Sequence, residues 1–138
     1  YNQFKAEGKV KLFDAYDGYA AGEQTRAFVY VKDVVKVNFF FWEHPELKGI
    51  YNCGTGHAHP FNTVAKAVLR HFNAPLEKLE YVPFPEVLKG KYQSYTQADA
   101  AKLLAAGYDG GFTAIDQAVA EYCALLDKTG GYYLRQKD

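Results

Sequence analysis

The sequence predicts an α/β fold, because short runs of β-branched and aromatic residues alternate with segments of helical periodicity. The strand-like runs lie at 28–31, 50–53 and 79–82. Apolar residues recur at helical spacing over 34–42, 61–72 and 115–126. The length of 138 residues suits one compact domain or part of a larger protein.

The composition is that of a globular protein, with 49% hydrophobic and 17% aromatic residues. Because the formal net charge is zero, the global charge favours neither nucleic acid nor an anionic membrane as a partner. No apolar run is long enough to span a membrane. The two cysteines form no disulfide framework, so we expect a reducing compartment. Because methionine is absent, we expect a processed chain or a piece of a longer one.

The first residues are predicted to form the end of a helix, a short strand and a loop. Gly8 is a typical helix C-cap, and Val10 and Leu12 then alternate with lysines as in a strand. The segment 14–22 is rich in aspartate and glycine, which favours a loop. Asp14 and Asp17 are interpreted as turn residues, because the ligand spacing of a calcium loop is missing.

The segment 25–34 predicts a buried strand that runs directly into a helix. The apolar run 28–31 forms the strand, and Asp33 is predicted to cap the helix. Arg26 precedes the apolar run, where a guanidinium is suited to gripping a phosphate. The alternative for Arg26 is a surface ion pair with a carboxylate.

The helix predicted over 34–44 ends at His44-Pro45 and is apolar on more than one face. Such a helix expects burial on several sides.

A strand over 50–53 then leads into Gly-Thr-Gly at 54–56, interpreted as a tight turn, because the third glycine of a dinucleotide fingerprint is missing. His57 and His59 lack a third metal ligand at a recognisable spacing. His59 is instead predicted to cap the next helix, with Pro60 at its first position.

The remaining pattern predicts three helices and a strand. The clearest amphipathic helix spans 61–72, and a strand over 79–82 ends at Pro-Phe-Pro. Capping boxes, Thr96 with Asp99 and Thr113 with Asp116, are predicted to begin two further helices. The first of these helices is expected to end at Gly107. The second is expected to bury one apolar stripe, and residues 130–135 are expected to form a loose extension. The stripe comprises Ile115, Ala118, Val119, Tyr122, Leu125 and Leu126.

The chain contains no self-sufficient catalytic set. It has no nucleophile elbow, phosphate loop or metalloprotease motif. Tyr-x-x-x-Lys occurs at 1–5 and 133–137, and we interpret both as chance matches at termini. No residue is therefore assigned as catalytic or as a metal ligand.

Three motifs carry a resemblance to a known family. Arg-Ala-Phe-Val-Tyr-Val-Lys-Asp-Val at 26–34 and Gly-Ile-Tyr-Asn-Cys-Gly-Thr-Gly at 49–56 resemble segments of the extended short-chain dehydrogenase/reductases. The run at 81–99, with Ala-Ala-Gly-Tyr at 105–108, closely resembles the ADP-L-glycero-D-manno-heptose 6-epimerase family within them. The resemblance covers nearly all of this chain but only the C-terminal part of that family's enzymes, a little under half.

The resemblance implies an α/β substrate-binding part, with the helix over 34–44 and the strand over 49–53 packing on an absent NAD(P)-binding Rossmann domain. Without that domain, we expect Phe39, Phe40, Phe41 or Trp42 to be exposed in this chain, which would favour association. It implies NADP-dependent oxidation and reduction at C6 of ADP-heptose, which supplies the lipopolysaccharide inner core. The catalytic tyrosine and lysine would lie upstream of this chain, which alone would be inactive. A cytoplasmic homo-oligomer with no membrane or nucleic-acid partner is implied for the whole enzyme.

The same resemblance implies the substrate contacts. Arg26 falls on the family's substrate arginine and Tyr92 on its substrate tyrosine. Phe13, Asp14, Ala15 and Tyr16 fall where the family has Phe-Glu-Gly-Ser. The loop up to Arg26 is longer than in the family, and alanine replaces the aspartate that follows the arginine.

Two alternatives remain open. Another epimerase or dehydratase of the same superfamily would prefer a UDP- or GDP-sugar. A non-catalytic binding module derived from the fold would gain no turnover from an added N-terminal half.

Overall fold

A computed structural model describes residues 1–131. Its α-helices are α1 (Asn2–Glu7), α2 (Val31–Glu43), α3 (Phe61–His71), α4 (Ala101–Ala105) and α5 (Ile115–Thr129). Its strands are β1 (Val10–Phe13), β2 (Thr25–Arg26), β3 (His59–Pro60) and β4 (Leu79–Val82), with 3₁₀ turns at Leu76–Lys78 and Glu86–Leu88. The predicted α/β class is confirmed. Residues 132–135 of the predicted extension lie outside the described residues, as does the Tyr-x-x-x-Lys motif at 133–137.

Two small sheets are formed. β1 and β4 are parallel, with Val10 opposite Leu79 and Phe13 opposite Val82. β2 and β3 are antiparallel, with Arg26 opposite His59. The second pairing brings the residues that follow the loop at 14–24 against the start of α3.

The predictions based on clear local periodicity are confirmed. β1 and β4 lie where the sequence placed them, and α3 lies within one residue of its predicted bounds. α1 ends at Gly8 in the left-handed conformation, with φ of 66°. α2 begins three residues earlier than predicted and ends before His44.

Both predicted strands at 28–31 and 50–53 are wrong. Val31 begins α2 and Tyr30 is its N-cap, while 50–53 has no regular structure. A strand needs a neighbour to pair its backbone, and the described residues provide one only for Thr25–Arg26 in this part of the chain. Ile50 is 88% exposed, so the expected burial of that segment also fails within this chain.

The predicted caps are also wrong. Asp33 lies inside α2, and α5 has Ala114 at its N-cap with no side-chain bond. α4 begins only at Ala101, whose backbone N–H donates to Asp99 Oδ1 at 2.9 Å. It ends at Ala105, before Gly107.

α3 begins one residue later than predicted. Pro60 occupies its N-cap position without a side-chain bond, and His59 pairs in β3 instead of capping the helix.

Two hydrophobic clusters form the core. The first joins β1, α3 and α5, and its buried members are Val10, Ala65, Val68, Leu69 and Cys123. The second lies between α2 and α4 and contains buried Val37, Leu103 and Tyr108. Of the stripe predicted on α5, Leu126 is buried but Tyr122 is 42% exposed. Tyr122 faces an open apolar cleft of about 1150 Å³ instead of the core.

Asp33 links α2 to the segment that enters α5. Its carboxylate is fully buried and accepts bonds from the Thr113 backbone N–H at 2.7 Å, the Thr113 hydroxyl at 3.0 Å and Lys36 Nζ at 2.8 Å. Burial raises the pKa of this carboxyl, but the bonds from Lys36 and Thr113 outweigh burial, so the pKa lies below its usual value.

The Asp33→Asn variant should unfold more easily than the wild type, by about 2–4 kcal/mol at neutral pH, because a buried charged acceptor is lost. The folded-state pKa is lowered, so the stabilisation is complete above the unfolded value and is lost as the pH falls through the folded value. Urea unfolding at about pH 7 and about pH 3 measures this difference. Asp109→Asn, at an exposed position, is the matched control. A gap between Asp33→Asn and wild type that does not narrow in acid would contradict this assignment.

Candidate functional site

Arg26 is fixed against two aromatic rings. β2 holds its backbone opposite His59, and its Nη1 donates to the Thr25 carbonyl at 2.8 Å. The guanidinium carbon lies 4.7 Å from the centre of the Tyr92 ring and 5.6 Å from that of Phe61. Such cation–π contacts orient the guanidinium plane while leaving N–H donors for an anion.

Arg26 has no carboxylate within salt-bridge distance among residues 1–131. Alanine follows it at position 27, so the neighbouring carboxylate expected from the family resemblance is also absent. The surface ion pair that the sequence left open for Arg26 is therefore not formed within the described chain. A guanidinium without a carboxylate partner is suited to an anionic ligand.

The ring of Phe84 contacts three other aromatic residues of the site. Its ring is 7% exposed and stacks on Tyr16, with centroids 3.9 Å apart and planes at 14°. Phe13 and Tyr92 meet it edge-on at 5.2 Å and 5.3 Å. Because Tyr92 also contacts Arg26, the aromatic cluster is continuous with the guanidinium.

The long loop at 14–24 is anchored at its base. The Asp14 backbone N–H donates to the Val82 carbonyl at 2.8 Å, which extends the pairing of β1 with β4. The Asp14 carboxylate accepts from the Ala15 backbone at 2.7 Å, so it serves the turn. Buried Gln24 donates to the Asp14 carbonyl at 3.2 Å and closes the loop.

The returning end of the loop docks on the start of α3. The Asn62 amide donates to the Ala21 carbonyl at 2.9 Å and to Glu23, and it accepts from the Tyr81 hydroxyl at 2.9 Å. The Asn62 backbone N–H donates to the Gly22 carbonyl at 3.0 Å. The loop is thus hydrogen-bonded to β4 at one end and to α3 at the other.

A cavity of about 220 Å³ opens beside these residues. Its walls are Gln3, Lys11, Leu12, Phe13, Gly22, Gln24, Phe61 and Tyr92. The volume is below the usual range for a whole small-molecule ligand, so it accommodates one part of a larger molecule.

Four of the six substrate contacts implied by the resemblance converge here: Phe13, Tyr16, Arg26 and Tyr92. Asp14 and Ala15 lie on the loop, and within 1–131 neither is hydrogen-bonded to the other four. Sequence reasoning missed the aromatic partners Phe61 and Phe84. Phe61 belongs to a stripe that predicts core, and Phe84 lies between two prolines that only indicate the end of a strand.

Neither the histidine pair nor Tyr1 and Lys5 forms a chemical site. Within 1–131, no three His, Cys, Asp or Glu side chains cluster as a metal would require, and His59 pairs in β3. The Tyr1 hydroxyl donates to Asp127 Oδ1 at 2.6 Å, which raises the pKa of Tyr1 to about 12. Such a phenol is a poor proton donor or acceptor near neutral pH.

Comparison with known proteins agrees with this architecture. The sequence model of the NAD dependent epimerase/dehydratase family matches residues 1–54. ADP-L-glycero-D-manno-heptose-6-epimerase of Helicobacter pylori matches with a TM-score of 0.66 and 23% identity, over 91% of this chain and 34% of that chain. The fold is that of extended short-chain dehydrogenase/reductases.

Other enzymes of this fold are equally similar. dTDP-glucose 4,6-dehydratase of Bacillus anthracis has a TM-score of 0.71 and 16% identity, over 95% of this chain and 39% of that chain. UDP-glucose 4-epimerase of Bifidobacterium longum has a TM-score of 0.67 and 22% identity, over 89% of this chain and 36% of that chain. The chain therefore spans between a third and two-fifths of the length of these structures. At these identities the likeness establishes the fold and leaves the substrate to be argued from the site.

Gly22→Ala should disturb the docked loop. Gly22 has φ of +69°, and an added Cβ would lie 2.8 Å from Asn62 Cγ and closer still to Oδ1. Gly18→Ala is the matched control, because Gly18 has φ of +78° in the same loop with open space around it. We expect backbone strain of about 1–2 kcal/mol in both variants and a further loss only for Gly22→Ala.

Urea unfolding followed by far-ultraviolet circular dichroism measures the two losses. Equal destabilisation by both substitutions would show that the contact with Asn62 does not hold the loop.

Proposed function

We propose that this chain is the substrate-binding part of an NADP-dependent ADP-L-glycero-D-manno-heptose 6-epimerase. The observation that carries the proposal is the guanidinium of Arg26, which lies over Tyr92 without a carboxylate partner in residues 1–131. A planar fork of N–H donors held in this way is suited to the diphosphate of a nucleotide sugar. Phe13 and Tyr16 are part of the same aromatic cluster, and the adjoining cavity takes one group of the ligand.

The diphosphate is common to all nucleotide sugars, so the geometry alone supports the class and not the sugar. The choice of ADP-heptose rests on the resemblance of the run at 81–99, which contains Tyr92. A UDP- or GDP-sugar enzyme of the same fold is the second candidate, and the similarity to UDP-glucose 4-epimerase favours it.

The reaction itself belongs to the whole protein. In the proposed activity a nicotinamide cofactor, held elsewhere in the whole protein, would supply the oxidation and reduction at C6. The described residues do not fit that cofactor, because Gly54-Thr-Gly56 is followed by α3 only at Phe61 and lacks the third glycine of a dinucleotide loop. We therefore assign cofactor binding and catalysis to sequence outside these residues, and substrate contacts to this chain. A cytoplasmic homo-oligomer serving lipopolysaccharide synthesis is part of the same proposal.

We further propose that the segment 34–53 packs on a nucleotide-binding domain. The outward stripe of α2 supports this assignment, since Val35, Phe39 and Trp42 are 45%, 62% and 84% exposed. Ile50 is also exposed, at 88%. Apolar side chains exposed together in this way mark a surface that another part of a protein covers.

One prediction from the proposed function concerns ligand choice. ADP and ADP-mannose should bind more tightly than UDP or GDP, and Arg26→Ala should weaken ADP binding about 10- to 100-fold, since charge-assisted hydrogen bonds to phosphate are lost. Arg26→Lys should recover only part of the affinity, because an ammonium lacks the planar fork. NMR titration or calorimetry on the whole protein measures these affinities.

Arg70→Ala is the matched control, since Arg70 is exposed and paired with Asp116. Preference for UDP or GDP would overturn the heptose assignment and keep the superfamily. Affinity for ADP that is unchanged in Arg26→Ala would overturn the site.

Another prediction concerns the exposed apolar stripe on α2. Phe39→Ser with Trp42→Ser should destabilise the whole protein by about 2–5 kcal/mol, because burial of two large apolar side chains is lost. In the 138-residue chain alone the same change should leave unfolding nearly unaffected and reduce self-association. Val87→Ser, at a position 73% exposed elsewhere on the surface, is the control. Equal effects in the whole protein and in the chain would count against a domain interface here.

A further inference from the structure

Tyr16 differs from the residue that the resembled family has at this position. The family has serine at this position, a side chain that reaches only its immediate neighbours. Here the tyrosine ring crosses to Phe84 and stacks on it at 3.9 Å. Its hydroxyl accepts from the Gly90 backbone N–H at 2.6 Å. The side chain therefore spans from the loop at 14–24 to the segment that carries Tyr92.

The backbone of Tyr16 is itself fixed. Tyr16 and Tyr19 exchange two backbone hydrogen bonds, of 3.1 Å and 3.0 Å, across the tip of the loop. The base of the loop is held by Asp14 and Gln24. The hydroxyl of Tyr16 is thus presented from a rigid support.

The segment 89–91 has little else to hold it. Its other hydrogen bonds within 1–131 are local, from Lys89 to Glu86 and from the Lys91 backbone to Leu88. Gly90 is exposed and has φ of 72°. The next fixed point is Ser94, whose carbonyl accepts from the Thr25 backbone at 2.9 Å. Within the described chain, the hydroxyl of Tyr16 is consequently the one hydrogen-bond partner that reaches 89–91 from a distant segment.

The position of Tyr92 depends on this segment. Tyr92 lies between the tether at Gly90 and the pairing at Ser94, and its ring contacts Arg26 and Phe84. If Gly90 moved, the Tyr92 ring would lose its support on one side. The guanidinium of Arg26 would then have fewer constraints on its plane.

We propose that Tyr16 is a positioning residue, which holds Tyr92 over Arg26 by binding Gly90 and stacking on Phe84. This inference rests on the proposed function for its effect on ligand affinity, and on geometry alone for its effect on Arg26. In place of the direct substrate contact implied by the resemblance, Tyr16 acts through Tyr92. The longer loop in this chain then has a role, because it provides the rigid support from which Tyr16 reaches Gly90.

The test uses Tyr16→Phe, which keeps the stacked ring and removes the acceptor for the Gly90 N–H. Tyr19→Phe is the matched control, because it makes the same chemical change in the same loop and its hydroxyl has no partner within 1–131. In the NMR spectrum of the whole protein, the side-chain N–H of Arg26 reports the aromatic rings beside it. We expect Tyr16→Phe to shift this resonance and Tyr19→Phe to leave it unchanged. An Arg26 resonance that is the same in Tyr16→Phe and wild type overturns the proposal, whether or not a ligand binds.

Affinity for ADP provides the second readout. Tyr16→Phe should weaken ADP binding about three- to ten-fold, the effect of one hydrogen bond, and should have no further effect in a Tyr92→Ala background. Equal losses in both backgrounds would show that Tyr16 contacts the ligand directly and would overturn the positioning role. A wild type that binds no ADP would refute the proposed function, while the Arg26 resonance still decides the role of Tyr16.

Discussion

The buried carboxylate of Asp33 is the constraint on which the rest of the fold depends. An isolated charge in a protein interior is costly, and here bonds from Thr113 and Lys36 compensate for the lost water. Thr113 lies 80 residues from Asp33, at the entry to α5. The interaction therefore joins α2 to the entry of α5, the helix that packs with β1 and α3 in the first cluster. Tyr30 and Lys32 add a second, more exposed link, since both donate to Glu121 of α5.

This interaction also explains where sequence reasoning failed. Asp33 and Thr113 each resemble a helix cap, because a short polar side chain precedes or opens an apolar periodic run. The structure uses both in one long-range interaction, and each helix begins without a side-chain cap. The periodicity of α3, β1 and β4 was readable because it depends only on neighbours in the chain. The segments at 28–31 and 50–53 have the composition of strands, but their state depends on pairing partners that a local pattern does not contain.

The candidate site was predictable in its polar residues and not in its packing. Arg26 and Tyr92 were found through a resemblance that compares residue types position by position. Phe13 was found in the same way, but Phe61 belongs to a periodic stripe that predicts core, and Phe84 lies between two prolines that only indicate the end of a strand. Phe61 and Phe84 became part of the site only once the fold set one ring beside the guanidinium and the other beneath Tyr16. The alanine at position 27 was visible in the sequence, but its consequence for Arg26 needed the surrounding carboxylates to be placed.

The proposed ligand contacts and the proposed domain contacts lie on different elements of the chain. The surroundings of Arg26 come from β1, the loop at 14–24, β2, the first turn of α3 and the segment 84–92, and they include no residue of α2. The outward apolar stripe belongs to α2, which packs inward on Leu103 and Tyr108 of the second cluster. Side-chain packing is short-ranged, so a change in the stripe reaches Arg26 chiefly through residues 27–30, which join β2 to α2. The two surfaces can therefore be altered independently, and the proposed ligand affinity and the proposed docking of a second domain can be tested separately on one chain.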